Sequence, residues 1–295
     1  MTAHFGHLLR TDRGYFSRAE AIDSGETDRT LATARREGLI VRLRRGMYAS
    51  ADVYNSTDDA GKHLLHARAA LAAQRGPVAL TGPSAAALHG FALYQEDLSI
   101  VHLVRLDSGC SHRAAKINHH VVTQDIEDDL DVYGGVTAIN PARAVWEVAC
   151  RSSLEGGVVT ADSALHQNPR LREDIEELQL RFAYFPGSRH GRLAVRLADP
   201  RAESPGESVT RVQFHRFGIP RPARSSAVGA SVGCWIPRGV VSTPVIAVAS
   251  TSAFMSSPDT ADARRHRSAI SAVRSSASVS ISSRSCPVCA SSKDT

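Results

Sequence analysis

The chain contains no run approaching the roughly 20 apolar residues that span a bilayer, and its first 25 residues lack a basic start followed by an apolar stretch. The expectation is a cytoplasmic protein with no membrane partner. Cysteine is scarce as well: Cys110, Cys150, Cys234, Cys286 and Cys289 are odd in number and mostly far apart. That excludes an obvious disulfide framework and fits a reducing compartment. A general basic excess is also missing from most of the chain. The net charge is +5, yet residues 1–222 hold 27 Lys/Arg against 27 Asp/Glu, and residues 223–295 hold 8 against 3. Global charge therefore supports no claim about nucleic acid, and any such claim has to rest on a local patch.

The last quarter lacks the residues that build a core. Residues 223–295 contain 19 Ser but no Glu, Leu, Tyr, Asn or Gln, and the last leucine is Leu197. Such a segment has few side chains to offset the entropy of ordering. Two readings stand side by side: a natural Ser-rich disordered tail, or a gene read out of frame beyond about residue 222, because a GC-rich gene in a wrong frame yields Ser, Arg, Ala, Pro, Val and Cys.

What precedes it reads as an α+β protein. The expected organisation is a winged helix-turn-helix over 1–52, an α/β middle domain over 62–200, a further helix within 201–222 and the tail over 223–295. Phe5, Leu8 and Leu9 suggest a first short helix ended by Asp12-Arg13-Gly14. Ser17 with Glu20 forms a capping box for a second helix through Asp23. Thr27 caps a third, running over Asp28–Glu37 and stopping at Gly38. A hairpin follows, with Leu39–Leu43 as one strand, Arg44-Arg45-Gly46 as the turn and Met47–Ala49 as the return. Helix, helix, turn, helix, hairpin is the order of a winged helix.

The third helix turns Leu31 and Ala34 inward and leaves Arg29, Thr33 and Arg36 on one outward stripe at i, i+4, i+7, with the stem of Arg35 between the two sides. Such a stripe suits a major groove of double-stranded DNA, where Arg bridges guanine O6 and N7 and Thr touches a thymine methyl. Arg42, Arg44 and Arg45 on the wing suit phosphates or an adjacent minor groove. From Arg29 to Arg45 there are six Arg and one acidic residue, Glu37. A solvated basic face that docks on protein is the bland alternative.

Three segments, Gly14-Tyr15-Phe16-Ser17-Arg18-Ala19-Glu20-Ala21, Arg35-Arg36-Glu37-Gly38-Leu39-Ile40 and Leu43-Arg44-Arg45-Gly46-Met47-Tyr48, resemble the amino-terminal domain of abortive-infection type IV antitoxins found in actinobacterial proteins. The resemblance, over about residues 4–50, implies a DNA-binding winged helix that commonly autoregulates an operon, with a cognate toxin as partner and a homodimer left open. Leu80–Gly90 and Val136–Val145 are similar to segments that follow the winged helix in the same proteins.

A linker is expected from Ala49 to Gly61. The middle region then reads as a helix over Lys62–Gln74, a strand over Val78–Leu80, a helix over Ser84–Leu88, strands over Leu98–Leu106 and Ile117–Thr123, and a helix opened by Asn140-Pro141 with Trp146 buried. Helices follow over roughly 154–167, 170–183 and 189–198. Its chemistry is weak. Thr81-Gly82-Pro83-Ser84 lacks the second Gly and the Lys-Ser/Thr pair of a phosphate loop, and Ser84 reads as an N-cap. His89, His102, His119 and His120 invite a site, but adjacent His119 and His120 on a strand point to opposite faces. The acidic run Asp125, Glu127, Asp128, Asp129 and Asp131 reads as a solvated loop before the Tyr133-Gly134-Gly135 turn.

Residues Ala202–Ser208 open a last helix that resembles the first helix of a very-short-patch-repair type endonuclease-like domain, carrying Glu203 and Glu207. That fold implies further carboxylates and Mg²⁺. Beyond the helix the sequence offers only Asp259, Asp262 and Asp294, no Glu and a single lysine, Lys293. No catalytic residues, no metal and no cofactor are therefore expected, and Cys286-Pro287-Val288-Cys289 is only half a zinc site. The expected function is a DNA-binding, antitoxin-like transcriptional regulator without nuclease activity; the alternative is a degraded or frameshifted member of a restriction-endonuclease-like nuclease family.

Overall fold

The computed structural model describes residues 6, 8, 13–107, 111–121 and 126–220, all of which belong to one compact unit. The Ser-rich tail with Cys234, Cys286, Cys289 and its three aspartates lies outside the described residues, as do Phe5, Leu9, Asp12, Cys110, Thr123 and Asp125.

The protein is of the α+β class and opens with a winged helix-turn-helix: β1 (Phe16–Ser17), α1 (Arg18–Asp23), α2 (Asp28–Arg36), β2 (Ile40–Arg44) and β3 (Met47–Ser50). The local reasons are those the sequence states. Ser17 and Glu20 exchange hydrogen bonds, Glu20 N–H donating to Ser17 Oγ at 3.1 Å and Ser17 N–H to Glu20 Oε2 at 2.7 Å. Thr27 receives the Thr30 N–H in the same way at 3.2 Å. Gly38, at φ 73°, takes the left-handed position that ends α2. Leu31 and Ala34 turn inward and join Leu8, Phe16, Ala21 and Ile40 in one core, with Tyr48 stacked on Phe16. The strand β1 was not legible: two residues are too few for a periodic signal, yet Phe16 and Ser17 pair with Tyr48 and Met47 to make the sheet order β1-β3-β2.

The segment expected to be a linker is instead a helix, α3 (Ala51–Ser56), followed at once by α4 (Asp59–Ala72), which Asp58 caps. Tyr15, Leu43, Ala49, Leu65 and Ala69 form a second core, with Met47 and Tyr54 packed against it. One side of the hairpin thus rests on α4, so the wing is held by the middle region and not by its own helices alone.

The middle region builds a six-stranded mixed sheet from β4 (Val78–Leu80), β5 (Val101–Arg105), β6 (His112–Ala114), β7 (Ile117–Val121), β8 (Leu130–Tyr133) and β9 (Val136–Ile139), in the order β6-β7-β5-β4-β9-β8. The β5–β7 and β4–β9 pairs are parallel; the others are antiparallel. Between β4 and β5 runs α5 (Gly82–Leu88), and a helical layer follows: α6 (Pro141–Arg151), α7 (Leu154–Gln167), α8 (Leu171–Arg181), α9 (Ser188–Leu197) and α10 (Pro205–Arg216). The α6 helix is the hub, with Trp146 at 1% exposure. The α9 helix approaches it closely at Gly191, where a Cβ would lie 2.6 Å from Cys150 Sγ.

Two expectations need correction here. The N-cap of α5 is Thr81, and Ser84 is fully buried in the helix. The acidic run is not all solvated: Glu127 and Asp128 are exposed on a short 3-10 helix, but Asp129 is buried and ion-paired with Arg143 and Arg181. The strands β8 and β9, on either side of the expected Gly134-Gly135 turn, went unread because acidic residues interrupt the apolar alternation of β8.

Candidate nucleic-acid interface

The α1 and α2 helices are locked together by one ion pair. Arg18 Nε and Nη2 donate to Asp28 Oδ1 and Oδ2 at 2.6 and 2.5 Å, the forked geometry in which guanidinium and carboxylate fit best. The Arg18 backbone N–H also donates to Gly46 O in the wing turn at 2.8 Å. One residue therefore ties the first helix to both the second helix and the hairpin tip. Sequence reasoning missed it, since nothing in Ser17-Arg18-Ala19 names a partner ten residues away. Arg13 is likewise occupied by Glu20.

With those two arginines engaged, the others define the surface. Arg29, Arg35 and Arg36 are exposed on α2, and Arg42 and Arg45 are exposed on the hairpin. Among the described residues none of these five forms an ion pair. Arg36 Nη2 donates to Thr33 Oγ1 at 3.2 Å and its Nε to Ala32 O at 3.4 Å. Thr33 and Arg36 are thus brought together, whereas Arg29 stands free one turn nearer the N-terminus. Arg42 Nε donates to Arg44 O at 3.2 Å, which braces the turn.

Arg44 departs from its expected role as an open phosphate contact. It is half-buried, and Nη2 reaches across to Ala115 O at 3.4 Å. Burial lowers its pKa from the usual arginine range, because a guanidinium loses hydration there and gains no carboxylate.

The histidines do not build a metal site. His119 and His120 diverge onto opposite faces, His119 stacking on His112 and His120 on His102 with ring centroids 4.4 and 5.3 Å apart. His89 Nε2–H donates to the Ile139 carbonyl oxygen at 2.8 Å. His102 Nδ1 and His120 Nε2 are 3.1 Å apart, so one carries the proton and the other accepts it. Burial is the main cause, and the neighbouring imidazole and Arg151 add to it, so that both pKa values fall to about 4. Cys150 is buried and free, and burial lifts its thiol to about 12. Among the described residues no group of three or more His, Cys, Asp or Glu is placed to hold a metal.

Glu203 is exposed ahead of α10 and Glu207 is exposed in its first turn, where the Glu207 N–H donates to Ser204 Oγ at 3.4 Å. The opposite side of α10 is anchored to α7: Ser208 donates to Asp162, and Arg211 Nη1 donates to Asp162 Oδ2 at 2.7 Å. No helix among the described residues is long and apolar enough to cross a membrane.

The structure of RV2827C protein from Mycobacterium tuberculosis is similar at a TM-score of 0.42 and 16% identity, over 70% of this chain and 78% of that one. No curated protein matches the sequence. The segment that carries the exposed arginines is where a family match falls: residues 7–51 match the family described as transcriptional regulator, AbiEi antitoxin.

Proposed function

We propose that this protein is an antitoxin-like transcriptional regulator that binds the operator of a type IV toxin–antitoxin operon and does not cleave it. The observation that carries this reading is the set of five exposed guanidiniums on α2 and the hairpin, none ion-paired among the described residues. A guanidinium without a carboxylate partner on a rigid, capped helix or hairpin is available to a polyanion without first breaking an ion pair. In this reading α2 enters the major groove, Arg29 and Arg36 address guanine edges, and Thr33 lies against base or sugar. Arg42 and Arg45 then take phosphates beside the groove. The middle region is left for a cognate toxin or a second copy of the chain.

The test is titration of the full chain against a duplex from its own promoter at several salt concentrations. The two phosphate contacts alone predict that log K falls with log salt at a slope of about −2, and the guanidiniums of α2 make it steeper. Arg36→Ala is expected to weaken binding about 10-fold or more, as loss of a base contact of 1–3 kcal/mol implies, and added Mg²⁺ is expected to leave the duplex intact. Affinity that ignores both salt and Arg36→Ala overturns the regulatory reading.

A further inference from the structure

The basic surface does not end with the wing. The β6 and β7 strands are joined by a two-residue turn, Ala115-Lys116, in which both residues hold positive φ, 49° and 61°. That is the backbone of a type I′ hairpin, which favours Asn-Gly at these places because other side chains crowd the left-handed region. Here the second place carries an ammonium instead. Arg113 stands on the same hairpin, opposite Asn118 in register. Arg113 and Lys116 are both exposed, and neither forms an ion pair among the described residues. Asp97 is near enough to feel both charges, but its carboxylate receives the Ser99 N–H at 3.0 Å.

Arg44 connects this hairpin to the wing. Its guanidinium reaches Ala115 O, and both Arg44 and Lys116 lie close enough to His66 to disfavour protonation of its half-buried ring. Three cationic side chains from two separate segments of the chain, Arg44, Arg113 and Lys116, therefore continue the arginine surface of the winged helix onto the mixed sheet.

We infer that the β6–β7 hairpin is a second contact for the DNA backbone, with Lys116 and Arg113 taking phosphates of the same duplex just beyond the wing. This rests on the DNA-binding reading above. Charge and continuity point to the occupant: a duplex seated on α2 and on the hairpin tip at Arg45 meets, next along its backbone, the turn that Arg44 touches. Contacts of this kind strengthen binding without reading sequence.

The experiment compares the full chain with Arg113→Ala, Lys116→Gly and the double variant on a duplex of about 25–30 base pairs, long enough to pass beyond the wing footprint. Lys116→Gly removes the charge while easing the backbone, so its thermal midpoint is expected to match or exceed that of the parent. The double variant is expected to bind about 10-fold more weakly at low salt, to lose about 2 from the salt slope, and to do so equally on operator and unrelated duplexes; Lys116→Arg, which keeps the charge, is expected to keep the parent's affinity and slope. If Arg36→Ala weakens binding but the double variant keeps the parent's affinity and slope, the hairpin contact is refuted and the winged-helix reading stands. If the parent itself shows no salt-dependent binding, both fall. Loss of binding to an acidic protein with DNA binding unchanged also refutes the hairpin contact.

Discussion

Ser84 Oγ lies 2.9 Å from His63 Nε2 and accepts the His102 backbone N–H at 2.8 Å, while His63 Nδ1 sits 2.7 Å from Leu98 O. The chain of donors is then fixed: Nδ1–H donates to Leu98 O, which leaves Nε2 as the acceptor for the Ser84 hydroxyl. Ser84 is fully buried and His63 nearly so, and every polar atom in the group has a partner. A serine and histidine at this distance have the form of a catalytic pair, but the hydroxyl has no access to solvent and serves to join α4, α5 and β5.

The first prediction follows from that closure. Ser84→Ala leaves the His102 N–H and His63 Nε2 buried without partners, and each such group costs about 1–3 kcal/mol. The variant is expected to lose about 2–4 kcal/mol in urea unfolding at neutral pH, with DNA affinity retained while it stays folded. A loss below about 0.5 kcal/mol would show that the hydroxyl is not holding the three elements together.

The second prediction concerns pH. His102 and His120 face each other, with Arg151, His63 and His119 raising the local positive field and Glu147 alone opposing it at His102. Both imidazoles are neutral in the folded protein, with pKa values of about 4 against an ordinary 6.5. The unfolded chain therefore binds more protons between these limits, so stability is present above about pH 6.5 and is lost as pH falls toward 4. The coupled pair is expected to contribute a loss on the order of a few kcal/mol across that window. Unfolding midpoints at pH 7 and pH 4.5 check this, with His120→Gln expected to flatten the dependence; a parent and variant that respond equally to acid would remove the pair from the account.

The third prediction addresses the corrected acidic run. Asp129 receives hydrogen bonds from Arg143 and Arg181, and Arg143 also reaches Glu147 Oε1 at 3.2 Å. The Arg143 and Asp129 side chains are each only 4% exposed. Removing Asp129 takes one carboxylate from Arg143 while Glu147 remains, so the cost falls toward the lower end of the about 3–5 kcal/mol of a broken buried pair. Asp129→Asn is expected to destabilise by that amount, and Asp129→Leu with Arg143→Met by clearly less; equal losses in the two would mean that packing and not charge is being measured.

These cases show what the sequence could and could not tell. The winged helix was readable because its signals are local: Ser17 with Glu20, Thr27, Gly38 and the Arg44-Arg45-Gly46 turn each act within four residues. The same was true of Asn140-Pro141 and of the helix over Leu154–Gln167. What escaped depends on distant partners. Ser84 reads as a cap until His63 and His102 are brought to it, and Asp129 reads as solvated until Arg143 and Arg181 arrive from other helices. Arg44 reads as a free phosphate ligand until Ala115, 71 residues away, receives it. Arg113 and Lys116 carry no signal at all in one dimension, because only the sheet brings them beside the wing.

The last prediction joins packing to binding. Leu65 on α4 packs in one cluster with Tyr15 and Leu43, and its Cδ2 would lie 2.8 Å from a Cβ placed on Gly14. It carries no charge itself, yet Leu43 and Ala49 of the hairpin that presents Arg42 and Arg45 belong to the same cluster. Leu65→Ala is expected to cost about 2–4 kcal/mol through the cavity it leaves. It is also expected to weaken DNA binding several-fold at temperatures where the chain remains folded, because a loosened hairpin holds its guanidiniums in more than one place. By the same reasoning a fragment ending at residue 60 lacks Leu65 and Ala69 and is expected to expose Tyr15 and Leu43, so it should be less stable than the winged helix within the full chain. Anisotropy titrations of parent and Leu65→Ala on one duplex, beside their unfolding curves, separate the two effects. Unchanged affinity in a destabilised but folded variant would mean that the winged helix positions its arginines without support from α4.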